Sequence, residues 1–348
     1  MKTSALHTCS WDAWFVDNSP PAQSPAWRVS DDESRFSPAM LFAAAKMYYE
    51  EDATQATIAE KLGTSRATVS RLLTEARRRG IVRIEVRNPV ELDHNALVEQ
   101  LELTLGLRKV YLSAQLPAPT ATQTIESIFG RYLAPAVSRA LADIGMVAGD
   151  ILLVSSGRTV YEVAQYDLPR IPGILVAPTV GGADQPEEWY QTNEITRLMS
   201  NRLGGRPNYL FAPALPGPEL YDTLRNDPAI QRVLQLWPAA KCALLGIGAP
   251  PLLRADIPSF VPTFAATMRE AVGDVCSRFY DRFGKAVNFP GRDRLIAIEL
   301  SVLEQIPVTI GVAVGTNKVP SIQAGARAGY FNTLVTDPLT AQQLIATD

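Results

Sequence analysis

Two short polar stretches each place a glycine, a hydroxyl and one cation directly after an apolar run. Ser155–Thr159 (SSGRT) follows ILLV, and Gly315–Lys318 (GTNK) follows VTIGVAV. A glycine at a strand-to-helix turn lets the backbone approach an anion, and the start of a helix offers free N–H groups and positive potential. A lysine at a helix start is unfavourable for the helix dipole unless an anion lies there. With Arg158 in the first stretch and Lys318 in the second, the two turns predict a phosphorylated or otherwise anionic ligand.

Two further stretches and one carboxylate have features that suit the same ligand-binding site. Thr179–Gly182 (TVGG) follows another apolar run, Gly246–Gly248 (GIG) ends a third, and Asp274 has a carboxylate suited to sugar hydroxyls. The alternative is that these are ordinary turns whose cations pair with surface carboxylates, which would contribute little. The candidate ligand-binding residues are Ser155, Ser156, Gly157, Arg158, Thr159, Thr179, Gly181, Gly182, Gly246, Gly248, Asp274, Thr316 and Lys318.

The elements that must position these turns alternate between strand and helix from residue 109 to residue 348. The apolar runs predict strands at 109–112, 151–156, 173–182, 207–215, 242–250, 295–300, 307–315 and 331–337. The amphipathic stretches predict helices at 122–143, 159–165, 191–203, 219–236, 263–272 and 319–329. Continuous apolar strands alternating with helices indicate an α/β domain with a Rossmann-like parallel sheet covered on both faces. Such sheets bind ligands at the carboxyl ends of their strands, where the turns lie.

A second candidate site lies near the N-terminus, in the stretch Thr54–Arg79. Ile58, Ala59 and Leu62 have helical spacing, Gly63 suits a left-handed turn, and Ser65 can cap a second helix. This pattern predicts a helix-turn-helix with residues 65–78 as the recognition helix; the alternative is a helical hairpin with a solvated basic face. Its candidate DNA-binding residues are Thr64, Ser65, Arg66, Thr68, Ser70, Arg71, Arg77 and Arg78.

The charge of this region favours the DNA-binding interpretation. Between Lys61 and Arg87 there are eight basic residues and two acidic ones, whereas the whole chain has a net charge of −3. A local basic patch on an acidic protein is suited to the phosphate backbone. Residues 81–86 alternate at strand period and predict a β wing, and Ser37-Pro38 predicts the start of a preceding helix at 36–51. The winged helix-turn-helix domain is therefore expected at 36–87.

Length and composition limit the remaining possibilities. The 348 residues, 47% of them hydrophobic, suffice for two domains with cores. We find no apolar run of membrane-spanning length and no signal-peptide pattern, so we expect a cytoplasmic protein without a membrane partner. The three cysteines are far apart and there are only two histidines, which argues against a metal site. Pro- and Ser-rich residues 1–35 are expected to form a disordered arm, and 88–108 a linker helix.

Several stretches together resemble the SorC family of bacterial transcriptional regulators. These stretches are TIAEKLGTSRATVSRLL, SSGRTV, PTVGG, LLGIGAP, AVGDVCSRFYDRFG and GTNKVPSIQAGARAGYFNTLVTD, and the resemblance covers nearly the whole chain after residue 36. It departs at Ser156, where many members have a bulky residue, and at Val314, which replaces the first glycine of a usual pair.

The resemblance implies a DNA-binding regulator of sugar or polyol catabolism genes. It implies an effector domain similar in fold to sugar-phosphate isomerases and deaminases, a sugar, polyol or sugar-phosphate effector, double-stranded operator DNA as a partner, and dimers or tetramers. It places effector contacts at Gly157, Arg158, Thr159, Gly181, Gly182, Asp274 and Lys318.

The alternative function is a sugar-phosphate isomerase or deaminase with a DNA-binding head. Such catalysis needs a general base, and residues 109–348 contain no histidine, so Asp274 or Glu270 would have to serve. Because no paired acid and base is evident, we expect no catalytic residue, no cofactor and no enzymatic activity.

Overall fold

The computed structural model describes residues 36–82, 89–117, 128–254 and 257–346. The chain divides into two compact units, Met1–Val86 and Arg87–Asp348; the boundary expected from the sequence is residue 87. The predicted arm at 1–35 lies outside the described residues, as do residues 83–86 of the predicted wing. The first two wing residues, Ile81 and Val82, are not in a strand.

Within residues 36–82 the first unit forms three helices, α1 (Pro38–Tyr49), α2 (Gln55–Lys61) and α3 (Arg66–Arg78). Each begins after a hydroxyl residue whose oxygen accepts a hydrogen bond from a backbone N–H in the first turn, namely Ser37, Thr54 and Ser65. The apolar faces of the helices meet in one core, whose buried residues are Leu41, Ala44, Ala45, Ile58, Ala59, Val69, Leu72, Leu73 and Ala76.

Gly63 makes the turn between α2 and α3 possible. Its φ of 59° lies in the left-handed region, which glycine adopts without the steric cost that a Cβ would add. The small side chain of Ala59 is 7% exposed and belongs to the core that α2 and α3 share. Burial of each large apolar side chain in this core contributes roughly 1.5–3 kcal/mol.

The second unit alternates between strands and helices as the sequence predicts. Its elements in chain order are α4 (Pro89–Leu105), β1 (Lys109–Leu112), α5 (Phe129–Asp143), β2 (Ile151–Val154), α6 (Arg158–Ala164), β3 (Leu175–Pro178), α7 (Thr192–Leu203), β4 (Arg206–Pro207), α8 (Pro218–Asn226), α9 (Pro228–Leu234), β5 (Cys242–Gly248), β6 (Gly273–Val275), β7 (Arg278–Tyr280), α10 (Leu300–Leu303), β8 (Val308–Val312), α11 (Val319–Arg327), β9 (Thr333–Thr336) and α12 (Pro338–Ala346).

A parallel sheet forms the centre of this unit. Its strand order is β1-β9-β8-β5-β2-β3-β4, and an antiparallel hairpin of β6 and β7 extends from the end of β5. Successive side chains of a strand point to opposite faces, and those of β2 and β5 enter two separate apolar clusters. The α/β class and the parallel sheet expected from the sequence are therefore confirmed.

Four expected elements differ in the structure. The strand at 207–215 is reduced to the two-residue edge strand Arg206–Pro207. The helix at 219–236 ends at Asn226 and a new one begins at Pro228, because the ring of proline clashes with a continuing helix. The helix at 263–272 is only a 3₁₀ turn at Ala266–Arg269.

The segment expected as a strand at 295–300 has a different role. It contacts the loop after β3 through an isolated antiparallel bridge between Val180 and Ala297, and its last residue begins α10. The helix expected at 88–108 is α4, which is part of the second unit. Leu101 and Leu105 are buried in that unit's core, and Glu102 Oε1 accepts a 2.9 Å hydrogen bond from the N–H of Val110.

Candidate functional site

The exposed face of α3 displays the residues predicted to contact DNA. Val69, Leu72, Leu73 and Ala76 form its buried face, whereas Arg66, Ser70, Arg71, Arg77 and Arg78 are exposed and Thr64 is half-buried. This division follows from the 3.6-residue period of the helix. The structure thus brings the predicted arginines to the solvent side of one helix.

Two of the predicted DNA-binding hydroxyls are engaged in the cap of α3. Ser65 Oγ accepts a 3.1 Å hydrogen bond from the N–H of Thr68, and the two hydroxyl oxygens lie 2.9 Å apart. Ser65 and Thr68 therefore fix the start of the helix, which orients the exposed side chains that follow.

Glu75 neutralises part of the basic patch. Its carboxylate receives two 2.7 Å hydrogen bonds from Arg78 and one of 2.5 Å from Arg79. These bonds lower the pKa of Glu75 to about 2. Within residues 36–82, Arg66, Arg71 and Arg77 form no ion pair, so their charge is the part of the patch most available to a phosphate backbone.

A shallow concavity of about 700 Å³ adjoins Arg66 in the first unit. Tyr48 and Tyr49 line it at the end of α1, with ring centres 4.9 Å apart in an edge-to-face arrangement, and Thr54 lines it at the start of α2. It therefore offers aromatic and polar surface beside one predicted DNA contact.

The candidate ligand site in the second unit lies where the order of the sheet reverses. From β2 the chain adds β3 and β4 on one side and then crosses to add β5 on the other. In open parallel sheets the crevice at such a reversal, at the carboxyl ends of the strands, is where ligands bind. The predicted turns follow β2 and β8, which flank β5, so their strands are about 10 Å apart.

The two turns have nearly the same backbone conformation. Gly157 has φ 115° and ψ 150°, and Gly315 has φ 111° and ψ 142°. Because side chains other than that of glycine are strained at these values, both positions require glycine. Gly157 leads into α6, and Gly315 leads through a 3₁₀ turn at Thr316–Lys318 into α11.

Ser155 supports the site from inside. This residue is only 1% exposed. Its Oγ accepts a 2.8 Å hydrogen bond from the N–H of Gly246, and its hydroxyl donates a 2.9 Å hydrogen bond to the carbonyl of Ser156. Thr159 and Thr179 are also buried, whereas Ser156, Lys318 and the exposed Thr316 reach the surface of the unit.

The glycine pair after β3 is held by backbone hydrogen bonds. The N–H of Gly181 donates to the carbonyl of Ile296 at 2.9 Å, and that of Gly182 donates to Ala212 at 2.9 Å. A Cβ at Gly181 would lie 2.6 Å from the carbonyl oxygen of Ala212, whereas a Cβ at Gly182 would meet nothing within 4 Å. Close packing therefore explains the first glycine, and the second leaves open space beside the backbone.

Asp274 lies in β6 opposite Gly248 at the end of β5, where it is buried and already has partners. Its Oδ1 lies 2.7 Å from Nη1 of Arg254, and its Oδ2 accepts a 3.2 Å hydrogen bond from the N–H of Ser277. Burial raises the pKa of Asp274, and the charges of Arg254 and Lys318 oppose that rise. A Cβ at Gly248 would lie 1.9 Å from Oδ1, so this glycine makes room for the carboxylate.

Trp189 is a site residue that the sequence analysis missed. The guanidinium carbon of Arg158 lies 4.7 Å from the centre of the indole ring, and the carbonyl of Trp189 accepts a 2.9 Å hydrogen bond from the N–H of Gly157. Trp189 lies in the loop between β3 and α7, which has no periodic pattern. Arg254 was missed for the same reason; only the structure shows its ion pair with Asp274.

The loops after β3 and β5 are joined by the side-chain amide of Gln185. Its Nε2 donates to the carbonyl of Ile257 at 3.1 Å, and its Oε1 accepts from the N–H of Ser259 at 2.8 Å. We refer to this pair of hydrogen bonds as the Gln185 bridge. The hydroxyl of Ser259 also donates a hydrogen bond to the carboxylate of Asp184.

Other kinds of site find no support in the described ranges. We find there no group of His, Cys, Asp and Glu side chains that could hold a metal ion. Among the described helices, none combines the length and apolar character needed to span a bilayer.

Comparison with known proteins finds a family model that matches most of the described residues of each unit. Residues 92–346 match the family model described as "Putative sugar-binding domain", and residues 43–99 match a Crp-like helix-turn-helix domain. The chain is 32% identical over 310 residues to the deoxyribonucleoside regulator of Bacillus subtilis, covering 87% of this chain and 96% of that protein. It is 30% identical over 318 residues to the sorbitol operon regulator of Klebsiella pneumoniae, covering 88% and 97%.

The solved structures lead to the same family. The crystal structure of the full-length sorbitol operon regulator SorC from Klebsiella pneumoniae matches with a TM-score of 0.64 and 29% identity over 88% of this chain and 98% of that one. The helix-turn-helix, the parallel sheet and these matches together show that the chain belongs to the SorC family of transcriptional regulators, which pair a DNA-binding domain with a sugar-binding domain.

Proposed function

We propose that this regulator binds operator DNA through the exposed face of α3 and changes its DNA binding when an anionic sugar or polyol derivative occupies the second unit. The observation on which the ligand assignment rests is the matched pair of glycine turns on either side of β5, each followed by one cation, Arg158 or Lys318. The proposed effector contacts are those turns, the Gly182 backbone and the Asp274–Arg254 pair.

Opposite ends of the effector require different partners. Arg158 and Lys318 supply charge for a phosphate or carboxylate, and backbone N–H groups of the turns supply donors with fixed geometry. Asp274 and Arg254 supply an acceptor and a donor for hydroxyl groups beside the end of β5. The names of the relatives, which refer to sorbitol and deoxyribonucleosides, favour a polyol or pentose derivative as the class to test first.

For DNA, we assign base contacts to Arg66 and Arg71 and backbone attraction to Arg77. The three arginines are exposed on α3, and the caps at Ser65 and Thr54 fix the helices that display them. A single module of this size buries little surface on DNA, so we also propose that the protein acts as a dimer or tetramer on paired half-sites.

Catalysis is not part of the proposal. The one buried carboxylate at the ends of β5 and β6, Asp274, is engaged by Arg254 and by the N–H of Ser277. A general base needs a lone pair directed at the substrate, and this arrangement instead suits recognition of hydroxyl groups.

Thermal-shift screening with sugars, polyols and their phosphates tests the ligand assignment. A ligand at a hundredfold excess over Kd stabilises the folded protein by roughly 2.7 kcal/mol. DNA sites selected from a random duplex pool would then report the effect of that ligand on DNA binding.

We expect Arg158→Ala and Lys318→Ala to fold and bind DNA but to lose the ligand response. Arg282→Ala is a matched control, because Arg282 also lies against an aromatic ring, that of Phe283, but outside this site. A wild-type ligand response in both site variants would place the effector elsewhere.

A further inference from the structure

Arg158 depends on one aromatic side chain for its orientation. Its guanidinium carbon is 4.7 Å from the centre of the Trp189 ring, within the range of a cation–π contact, and indole is the strongest ring for this contact. Within the described residues Arg158 forms no ion pair, and its buried Nε–H has no hydrogen-bond partner. The stack with Trp189 is therefore the contact best placed to hold the guanidinium.

We infer that Trp189 is a positioning residue that holds Arg158 in place for the anionic group of the effector; this inference rests on the proposed function. Stacking covers one face of the guanidinium, and the N–H donors lie in the plane of the group, where an oxyanion can accept from two of them at once. Unlike a carboxylate partner, an indole does not neutralise the charge. The stack therefore leaves the positive charge of Arg158 for the ligand, although the carboxylate of Glu162 on α6 is near enough to interact with that charge.

The main chain keeps Trp189 beside the turn. Its carbonyl accepts the N–H of Gly157, the residue immediately before Arg158. The Gln185 bridge and a 2.6 Å hydrogen bond from Gln191 to the carbonyl of Gln185 hold the rest of the loop. Because these bonds do not involve the indole, replacing the Trp189 side chain leaves the loop attached.

The indole itself has an unused donor. The Nε1–H of Trp189 is buried and has no hydrogen-bond partner among the described residues. A buried N–H without an acceptor raises the free energy of the folded protein. A ligand oxygen that accepted hydrogen bonds from Trp189 and Arg158 would remove this penalty at both residues. An indole donates but cannot accept, so this feature favours an oxyanion over a neutral hydroxyl group that needs an acceptor.

Calorimetric titration of the full chain with inorganic phosphate and with sorbitol 6-phosphate tests the inference. The variants are Trp189→Ala, Trp189→Leu and Trp189→Phe, each alone and combined with Arg158→Ala. Leucine keeps apolar bulk without a π face, whereas phenylalanine keeps a face for stacking. Phe283→Ala removes an exposed ring that lies 4.5 Å from Arg282 outside the site, and it serves as the control.

We expect the alanine and leucine variants to weaken binding of the phosphorylated probe about five- to thirtyfold, and phenylalanine to restore most of the affinity. In the Arg158→Ala background the Trp189 substitutions should add nothing, because the two residues act as one unit. The melting temperature without ligand should stay close to that of the wild type, and Phe283→Ala should bind as the wild type does.

The contrary outcomes separate the two proposals. If Arg158→Ala weakens binding but the Trp189 variants do not, the proposed effector site stands and the positioning role is wrong. Full additivity in the double variants would mean that Trp189 contacts the ligand independently of Arg158, which also overturns the inference. If the wild-type protein binds neither probe, the anionic-ligand assignment itself fails.

Discussion

The backbone N–H of Gly246 donates a 2.8 Å hydrogen bond to Oγ of Ser155 and so joins the carboxyl ends of β5 and β2. This bond lies where the strand order reverses, between β2 and β5, whose following connections lead towards opposite edges of the sheet. The backbone pairing of the two parallel strands ends at Val154 and Leu244, and the hydrogen bond to the Ser155 side chain continues the connection beyond that pair. Ser155 thereby fixes the spacing of the crevice.

Removal of this hydroxyl should destabilise the second unit. Ser155→Ala leaves the N–H of Gly246 without its acceptor, and we expect a loss of about 1–3 kcal/mol in the free energy of unfolding. Ser156→Ala, at the neighbouring half-buried serine, should change stability by less than about 0.5 kcal/mol. Urea denaturation of both variants provides the measurement, and equal effects would contradict a special role for Ser155.

The glycines of the site should respond differently to an added methyl group. Gly248→Ala would place a Cβ 1.9 Å from the Asp274 carboxylate, and we expect overpacking to cost about 1–3 kcal/mol. Gly182→Ala meets no atom within 4 Å, so it should fold normally and lose only ligand affinity. Thermal melts with and without ligand separate the two effects; a Gly182→Ala protein with wild-type ligand affinity would exclude ligand approach at that backbone.

The arginines of α3 should make unequal contributions to DNA binding. Arg66→Ala and Arg71→Ala should each cost about 1–3 kcal/mol and relax specificity at one base position. Arg78→Ala should cost less, because Glu75 already binds that side chain through two 2.7 Å hydrogen bonds. Fluorescence anisotropy over a range of salt concentrations would measure both effects, and equal losses in all three variants would contradict this ranking.

The Glu75 carboxylate should remain ionised in acid. Its pKa is lowered from 4.5 to about 2 by the hydrogen bonds from Arg78 and Arg79. Because the folded-state pKa lies below the ordinary value, the pairing stabilises the fold above pH 4.5 and is lost as the pH falls towards 2. Carbon-detected NMR titration of the carboxyl group provides the measurement. A midpoint near 4.5 would show that the bonds to the two arginines do not persist in solution.

Features determined by neighbouring residues were predictable from the sequence. Ser37 and Ser65 cap their helices as expected. Each hydroxyl accepts a hydrogen bond from an N–H only three residues further along the chain, so the local sequence is sufficient to predict the cap. The turns at Gly157 and Gly315 were also predictable, since an apolar strand, a glycine and a helix follow one another directly. The break between α8 and α9 at Pro228 also follows from the local sequence, because proline disfavours a continuing helix, but we expected one continuous helix there.

Features that depend on distant contacts were not predictable in this way. Trp189 meets Arg158 from a loop 31 positions further along the chain, and Arg254 meets Asp274 across 20 positions. The hairpin of β6 and β7 has a buried turn in which Cys276 and Ser277 both have positive φ values, a conformation that their residue types do not favour. Only the packing of the completed fold determines these positions.

The central place of β5 has a consequence for the timing of local motions. β2, β5 and β8 each have a neighbouring strand on both sides, so their amide protons should exchange with solvent only in rare, nearly global opening events. The loops joined by the Gln185 bridge have fewer backbone hydrogen bonds and should open far more often. A bound effector would then lie against strands whose amide protons exchange slowly, and it would lower the opening frequency of the loops beside it. Binding of the effector would therefore slow amide exchange in those loops.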